Sequence, residues 1–134
     1  MNYKDLHLEA IMIPDNIEGL LEQDSMWDIE VPPFSISVVV TEFKGHDTLT
    51  WSIEFSPAFD FEDLNERLEA KGFESDGHGW TAYIQECLSK RFKNYADMIK
   101  EDSDSETCCL YTFNKSNFTT LLSLVSEAIR ELYN

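Results

Sequence analysis

The chain has 134 residues, 43% of them hydrophobic and 13% aromatic, which suits one domain with its own core and rules against a disordered segment. Twenty-six Asp and Glu against ten Lys and Arg leave a formal charge of −16, which argues against direct binding to nucleic acid or an anionic membrane, since basic side chains read both. A field of that sign favours a basic partner and speeds its association, although the same charge also keeps a protein in solution.

Leu6 to Ile13 alternates in part and predicts a strand that stops at Pro14, which has no N–H to donate. Asp15 can cap a helical turn holding Ile17, Leu20 and Leu21. Glu22 to Glu30, acidic and containing Trp27, closes at Pro32 and Pro33 and predicts a loop. Residues 1–31 carry eight acids against one Lys, the most lopsided stretch of the chain. Phe34–Val40 and Thr48–Phe55 predict a hairpin around a turn at Lys44–Asp47. The period of two puts Phe34, Ile36, Val38 and Val40 on one face, with Leu49, Trp51, Ile53 and Phe55 from the second strand. Thr50, Ser52 and Glu54 fall on the other, as in an antiparallel sheet covered on one side.

After Pro57, Asp60 is the expected N-cap of a helix running to about Lys71, with Gly72 as its left-handed stop. Phe61, Leu64 and Leu68 form its buried stripe, and Glu62, Glu66 and Glu69 its outer side. Gly77, His78 and Gly79 predict a turn that places Trp80 at the start of a second helix, striped by Ile84, Cys87 and Leu88 and prolonged by Phe92. Lys90, Arg91 and Lys93 suit that helix's negative end. Tyr95, Met98 and Ile99 suggest a short further helix. Glu106–Phe113 predicts a strand that is apolar on both sides, hence central. Asn114 or Ser116 caps a last helix striped by Phe118, Leu121, Leu122, Val125, Ile129 and Leu132. The expected fold is a single α+β domain over 1–134, an antiparallel sheet with helices packed on one face.

Residues that carry chemistry are sparse. His7, His46 and His78 have no partner at metal-ligand spacing, and His46 beside Asp47 reads as a solvated turn. Asp102, Asp104 and Glu106 resemble the start of a calcium loop but lack the central Gly and the distal Glu. Cys87, Cys108 and Cys109 are odd in number without Cys-x-x-Cys spacing, and neighbours in a strand point to opposite faces, so they read as buried thiols in a reducing compartment. No nucleophile motif or phosphate loop is present, so neither enzyme activity nor a cofactor is expected. With neither a basic leader before an apolar run nor a stretch near bilayer length, the expected location is the cytoplasm.

From about Phe34 onward the chain resembles the immunity protein 51 family of bacterial polymorphic toxin systems. The likeness rests on the hairpin, the helix ending in Gly72 and Phe73, and Gly77-x-Gly79-Trp80 opening a helix. It continues with the Asp102-x-x-x-Glu106 turn before a strand ending in Tyr111, then Asn114, Lys115 and a leucine-rich helix. One departure is Asp102-Ser-Asp-Ser-Glu-Thr-Cys108 in place of the family's Asp-Pro-Glu-Ala-Gly-Met-Phe-like run. The resemblance implies a cytoplasmic, non-enzymatic antidote for one cognate toxin domain, and it assigns no binding residue.

Charge suggests the contacts. They are Asp24, Asp28 and Glu30 with Trp27 as an aromatic anchor, Glu62, Glu66 and Glu69 on the first long helix, and Asp102, Asp104 and Glu106 in the acidic turn. A basic, nuclease-like toxin domain is the expected partner. The alternatives are an acidic adaptor for another basic protein, or a ligand-binding or enzymatic domain with a pocket near His78, Trp80 and Tyr111.

Overall fold

The computed structural model describes residues 3–24, 26–57 and 61–133. Its centre is an antiparallel sheet of five strands, β1 (Met26–Val31), β2 (Phe34–Phe43), β3 (His46–Phe55), β4 (Lys100–Glu101) and β5 (Cys108–Thr112), in the order β1-β2-β3-β5-β4. Four helices longer than one turn accompany it among the described residues: α1 (Ile17–Asp24), α2 (Glu62–Ala70), α3 (Gly77–Arg91) and α4 (Lys115–Tyr133). A single turn, Tyr95–Met98, follows α3. This is the expected α+β architecture. Among the described residues, no helix is long and apolar enough to cross a membrane.

The hairpin forms where the alternation placed it and is longer than predicted. Its two-residue loop, Lys44–Gly45, has φ of 54° and 82°, the left-handed pair that matches strand twist. Phe34, Ile36, Val38, Trp51, Ile53 and Phe55 point inward and are buried, joined by Cys108 and Leu110 from β5. β5 lies between β3 and the two-residue β4, but only its inner side (Cys108, Leu110 and Thr112) is buried, whereas Cys109, Tyr111 and Phe113 on the other side keep exposure. The helices cover this inner face with Leu64 and Leu68, Trp80, Ile84 and Leu88, and the Phe118–Leu132 stripe of α4. Asn114 is the residue that caps α4, its Oδ1 accepting from Asn117 N at 2.8 Å. Gly72, at φ 96°, ends α2 as expected. Asp60, the expected cap of α2, lies outside the described residues. The observed cap position is Phe61, which makes no side-chain capping bond.

Three expectations are corrected. Leu6–Ile13 is not a strand. Two 3₁₀ turns, Tyr3–Asp5 and Leu8–Ala10, lie against α4, where Leu6 and Leu8 are buried and Leu8 N donates to Ser126 Oγ at 2.8 Å instead of to a strand neighbour. Glu22–Glu30 is not a loop. Ile17 and Leu21 are buried and Leu20 faces out on α1, which runs to Asp24, and β1 follows. The acids concealed the period of two in Trp27, Ile29 and Val31, which pack against the core while Met26, Asp28 and Glu30 face solvent. Finally, Gly77–Trp80 is not a turn before a helix. It is the first turn of α3, capped by Asp76, whose Oδ1 accepts from Gly79 N at 2.7 Å.

Candidate functional site

The two faces of the sheet differ in kind. Inner residues of β2, β3 and β5 are mostly buried, and those of β1 partly so, whereas the outer face keeps partial exposure across β1, β2, β3 and β5. Strand register lays that outer face out in rows. One row reads Glu30, Ser35, Glu54 and Cys109, extended by Asp102, whose N–H donates to Cys109 O at 3.0 Å. The next reads Asp28, Ser37, Ser52, Tyr111 and Lys100. With neighbouring strands about 4.8 Å apart, the carboxylates of Glu30, Glu54 and Asp102 recur at intervals of roughly 10 Å along one line. Between them the polar side chains satisfy one another. Ser35 Oγ donates to Glu30 Oε1 at 2.8 Å, Ser37 and Ser52 hydroxyls meet at 2.9 Å, and those of Thr41 and Thr50 at 3.1 Å.

At the β5 side this face deepens into a groove of about 600 Å³, lined by Thr41, Thr48, Thr50, Ser52, Asp102, Cys109, Tyr111 and Phe113. Tyr111 and Phe113 form an edge-to-face pair, centroids 5.7 Å apart at 81°, and Phe113 is 50% exposed. A half-exposed aromatic in a groove that also holds a carboxylate is the type of anchor that interfaces use.

The acidic turn that supplies Asp102 is built from the inside. Asp104 Oδ1 accepts from Glu106 N at 2.9 Å and Thr107 N at 2.8 Å, which folds the turn on itself. Ser103 Oγ accepts from Cys109 N at 3.0 Å and meets Thr81 Oγ1 on α3 at 2.6 Å. Gly77 N donates to Ser105 O at 3.1 Å, so the turn is pinned to the start of α3. Asp102 therefore stands on a braced support at the groove's edge.

The cysteines sit as the strand alternation requires, Cys108 buried on the inner face and Cys109 half-buried on the outer, and all three are free. Burial, followed by the carboxylates of Glu54, Asp102, Glu101 and Asp104, pushes the Cys109 thiol up to about 11. Burial also pushes Cys108 up to about 12. Neither is a nucleophile near neutral pH, because the thiolate is the reactive form. At pH 8 the native Cys109 should alkylate with iodoacetamide roughly a hundredfold more slowly than the same thiol in denaturant, with its rate rising about tenfold per pH unit. Mass spectrometry of the modified peptide checks this, and equal rates would remove the acids from its surroundings.

The ten residues expected at the partner contact are not brought together. Asp28, Glu30 and Asp102 share the open face. Asp24 ends α1, and Glu62, Glu66 and Glu69 are exposed on α2, in the helical layer that covers the opposite face of the sheet. Asp104 is engaged in its own turn, and Glu106 is exposed beside it. Trp27 is corrected from loop anchor to inward-facing strand residue, partly buried against the core. The alternative pocket near His78, Trp80 and Tyr111 does not form. Trp80 is fully buried beneath the inner face, His78 is exposed, and Tyr111 is on the outer face. Glu54 and the Tyr111–Phe113 pair also lie on the open face and were not among the contacts that the sequence suggested. The signal for Glu54 was its place on the polar side of β3 beside Thr50 and Ser52.

Among the described residues, no group of three or more His, Cys, Asp and Glu is placed to hold a metal ion. No family model matches the chain, and no curated protein or solved structure is significantly similar to it.

Proposed function

We propose that this chain is a cytoplasmic, non-enzymatic immunity protein that binds one cognate basic toxin domain and blocks its active site or substrate path, using the open face of the sheet. The observation that carries this reading is the row of Glu30, Glu54 and Asp102 on the same open face as the Tyr111–Phe113 pair. A toxin domain that handles nucleic acid presents cations arranged for phosphates, and evenly spaced carboxylates on a sheet offer those cations an alternative set of anions. The aromatic pair supplies the desolvated centre that charge by itself does not provide. The α2 acids, in the opposite layer, contribute to steering at a distance rather than to contact.

The test first reads the genes beside this chain's own, and a basic toxin domain found there is the partner to titrate. Combined Glu30→Lys, Glu54→Lys and Asp102→Lys should weaken its binding at least a hundredfold and flatten the salt dependence of association. Combined Glu62→Lys, Glu66→Lys and Glu69→Lys should slow association by less than about tenfold and leave dissociation unchanged. Equal losses from the two sets, or none from the first, would overturn the assignment of the open face. The groove also favours a second reading, a small-ligand site, because its volume lies in the range of ligand pockets. A neutral small molecule that competes with the toxin domain for the groove would favour it.

A further inference from the structure

We infer that the groove on the open face is a receptor for an arginine side chain presented by the basic protein partner; this rests on the reading above. The argument is one of charge and shape together. Asp102 stands at the groove's margin, and the register places Glu54 directly opposite Cys109 on its floor. Both carboxylates are close enough to help hold the Cys109 thiol in its neutral form, so the field at the floor of the groove is negative. An anion or a neutral apolar group gains nothing from that field, whereas a cation does.

The choice between the two basic side chains follows from the walls. Tyr111 and Phe113 stand edge to face, and aromatic faces at a groove take a flat cation better than a compact, strongly hydrated one. A guanidinium stacks on an aromatic ring and still directs paired N–H donors in its own plane toward a carboxylate such as Asp102. The hydroxyls of Thr50 and Ser52 on the remaining wall already meet Thr41 and Ser37, yet each oxygen keeps acceptor capacity for a further N–H. An ammonium would use the carboxylate but not the rings.

The test titrates the full chain with N-acetyl-arginine amide at low ionic strength, following backbone amide shifts. Saturable shifts should cluster at Thr50, Ser52, Cys109, Tyr111 and Phe113. The neutral citrulline analogue and the lysine analogue should each bind at least tenfold more weakly. Asp102→Asn and Phe113→Ala, both at exposed positions, should each weaken the arginine analogue at least fivefold. Equal binding of any of the three analogues, or shifts spread evenly over the acids of α2, would overturn the inference. The toxin domain separates this failure from that of the wider reading. If it binds and the triple reversal abolishes binding, while Asp102→Asn and Phe113→Ala leave its affinity unchanged, the arginine receptor falls and the immunity reading stands. If the arginine analogue fills the groove and the toxin domain does not bind, the reverse holds.

Discussion

Gly79→Ala is expected to lower the melting temperature by about 10 °C, a loss of about 3 kcal/mol. A Cβ built at Gly79 lies 1.7 Å from the carbonyl oxygen of Glu74 and 2.5 Å from its carbon, so the obstacle is backbone rather than a side chain that can rotate away. The chain passes this close because Asp76 must reach back to cap Gly79 N while residues 73–75 return from the end of α2. Gly77 is subject to a related constraint, since its Cβ would meet the carbonyl oxygens of Asp104 at 2.0 Å and Thr107 at 2.5 Å. The fitting control is Gly19→Ala in α1, where nothing lies within 4 Å. There the substitution should stabilise by about 1 kcal/mol through helix propensity. Opposite signs from one chemical change, read by thermal melting, would locate the effect in the close approach. A Gly79→Ala protein as stable as the parent would show that the 73–76 crossing yields.

Phe61→Ala should cost about 4 kcal/mol, near the upper range for deleting a buried aromatic. Phe61 is where the layers meet. Its ring lies 5.2 Å from Tyr3, 5.8 Å from Phe34, 5.3 Å from Phe55 and 5.1 Å from Trp80, centroid to centroid. These partners come from the N-terminal segment, two sheet strands and α3, so no single element can move in to fill the space. Nearby, Trp80 Nε1 donates to Asn65 Oδ1 at 2.7 Å, and Asn65 Nδ2 donates to Pro57 O at 2.9 Å, which fixes the indole beside the cavity. Phe61→Leu should cost clearly less, because it keeps most of the volume and loses chiefly the ring geometry. Chemical denaturation would measure both. A loss below about 1 kcal/mol for the alanine variant would mean that the site collapses and Phe61 is peripheral.

The parts of the fold legible in the sequence are those dictated by local pattern. The alternation through Phe34–Phe55 fixed which side chains of the hairpin face inward, and Leu64 and Leu68 marked the buried side of α2. Where the sequence reading erred, a tertiary partner overrode the local pattern. The apolar residues around Leu8 alternate like a strand, but their backbone is taken up by the distant hydroxyl of Ser126. Around Trp27 the acids suggested a loop, yet an edge strand needs only one apolar side, and its acids occupy the other. The candidate site was less legible still. Asp28, Glu30, Glu54 and Asp102 are scattered along the chain, and they share a face only through the pairing order β1-β2-β3-β5-β4. Composition disclosed that the protein was acidic, and strand order decided which acids act together.

The position of α4 has a consequence for synthesis. The β1–β2–β3 meander is made before α2, α3 and α4 and pairs through contacts close in sequence, and α2 and α3 cover only part of its apolar side until Phe118–Leu132 has been made. The same late helix is where Leu6 and Leu8, more than a hundred residues earlier in the chain, come to rest. A nascent chain halted before residue 115 lacks Phe118, whose ring lies 5.7 Å from Trp51, and so leaves that part of the sheet without its cover. Long-range closure of this kind makes synthesis of α4, rather than emergence of the first strands, the step that completes the core.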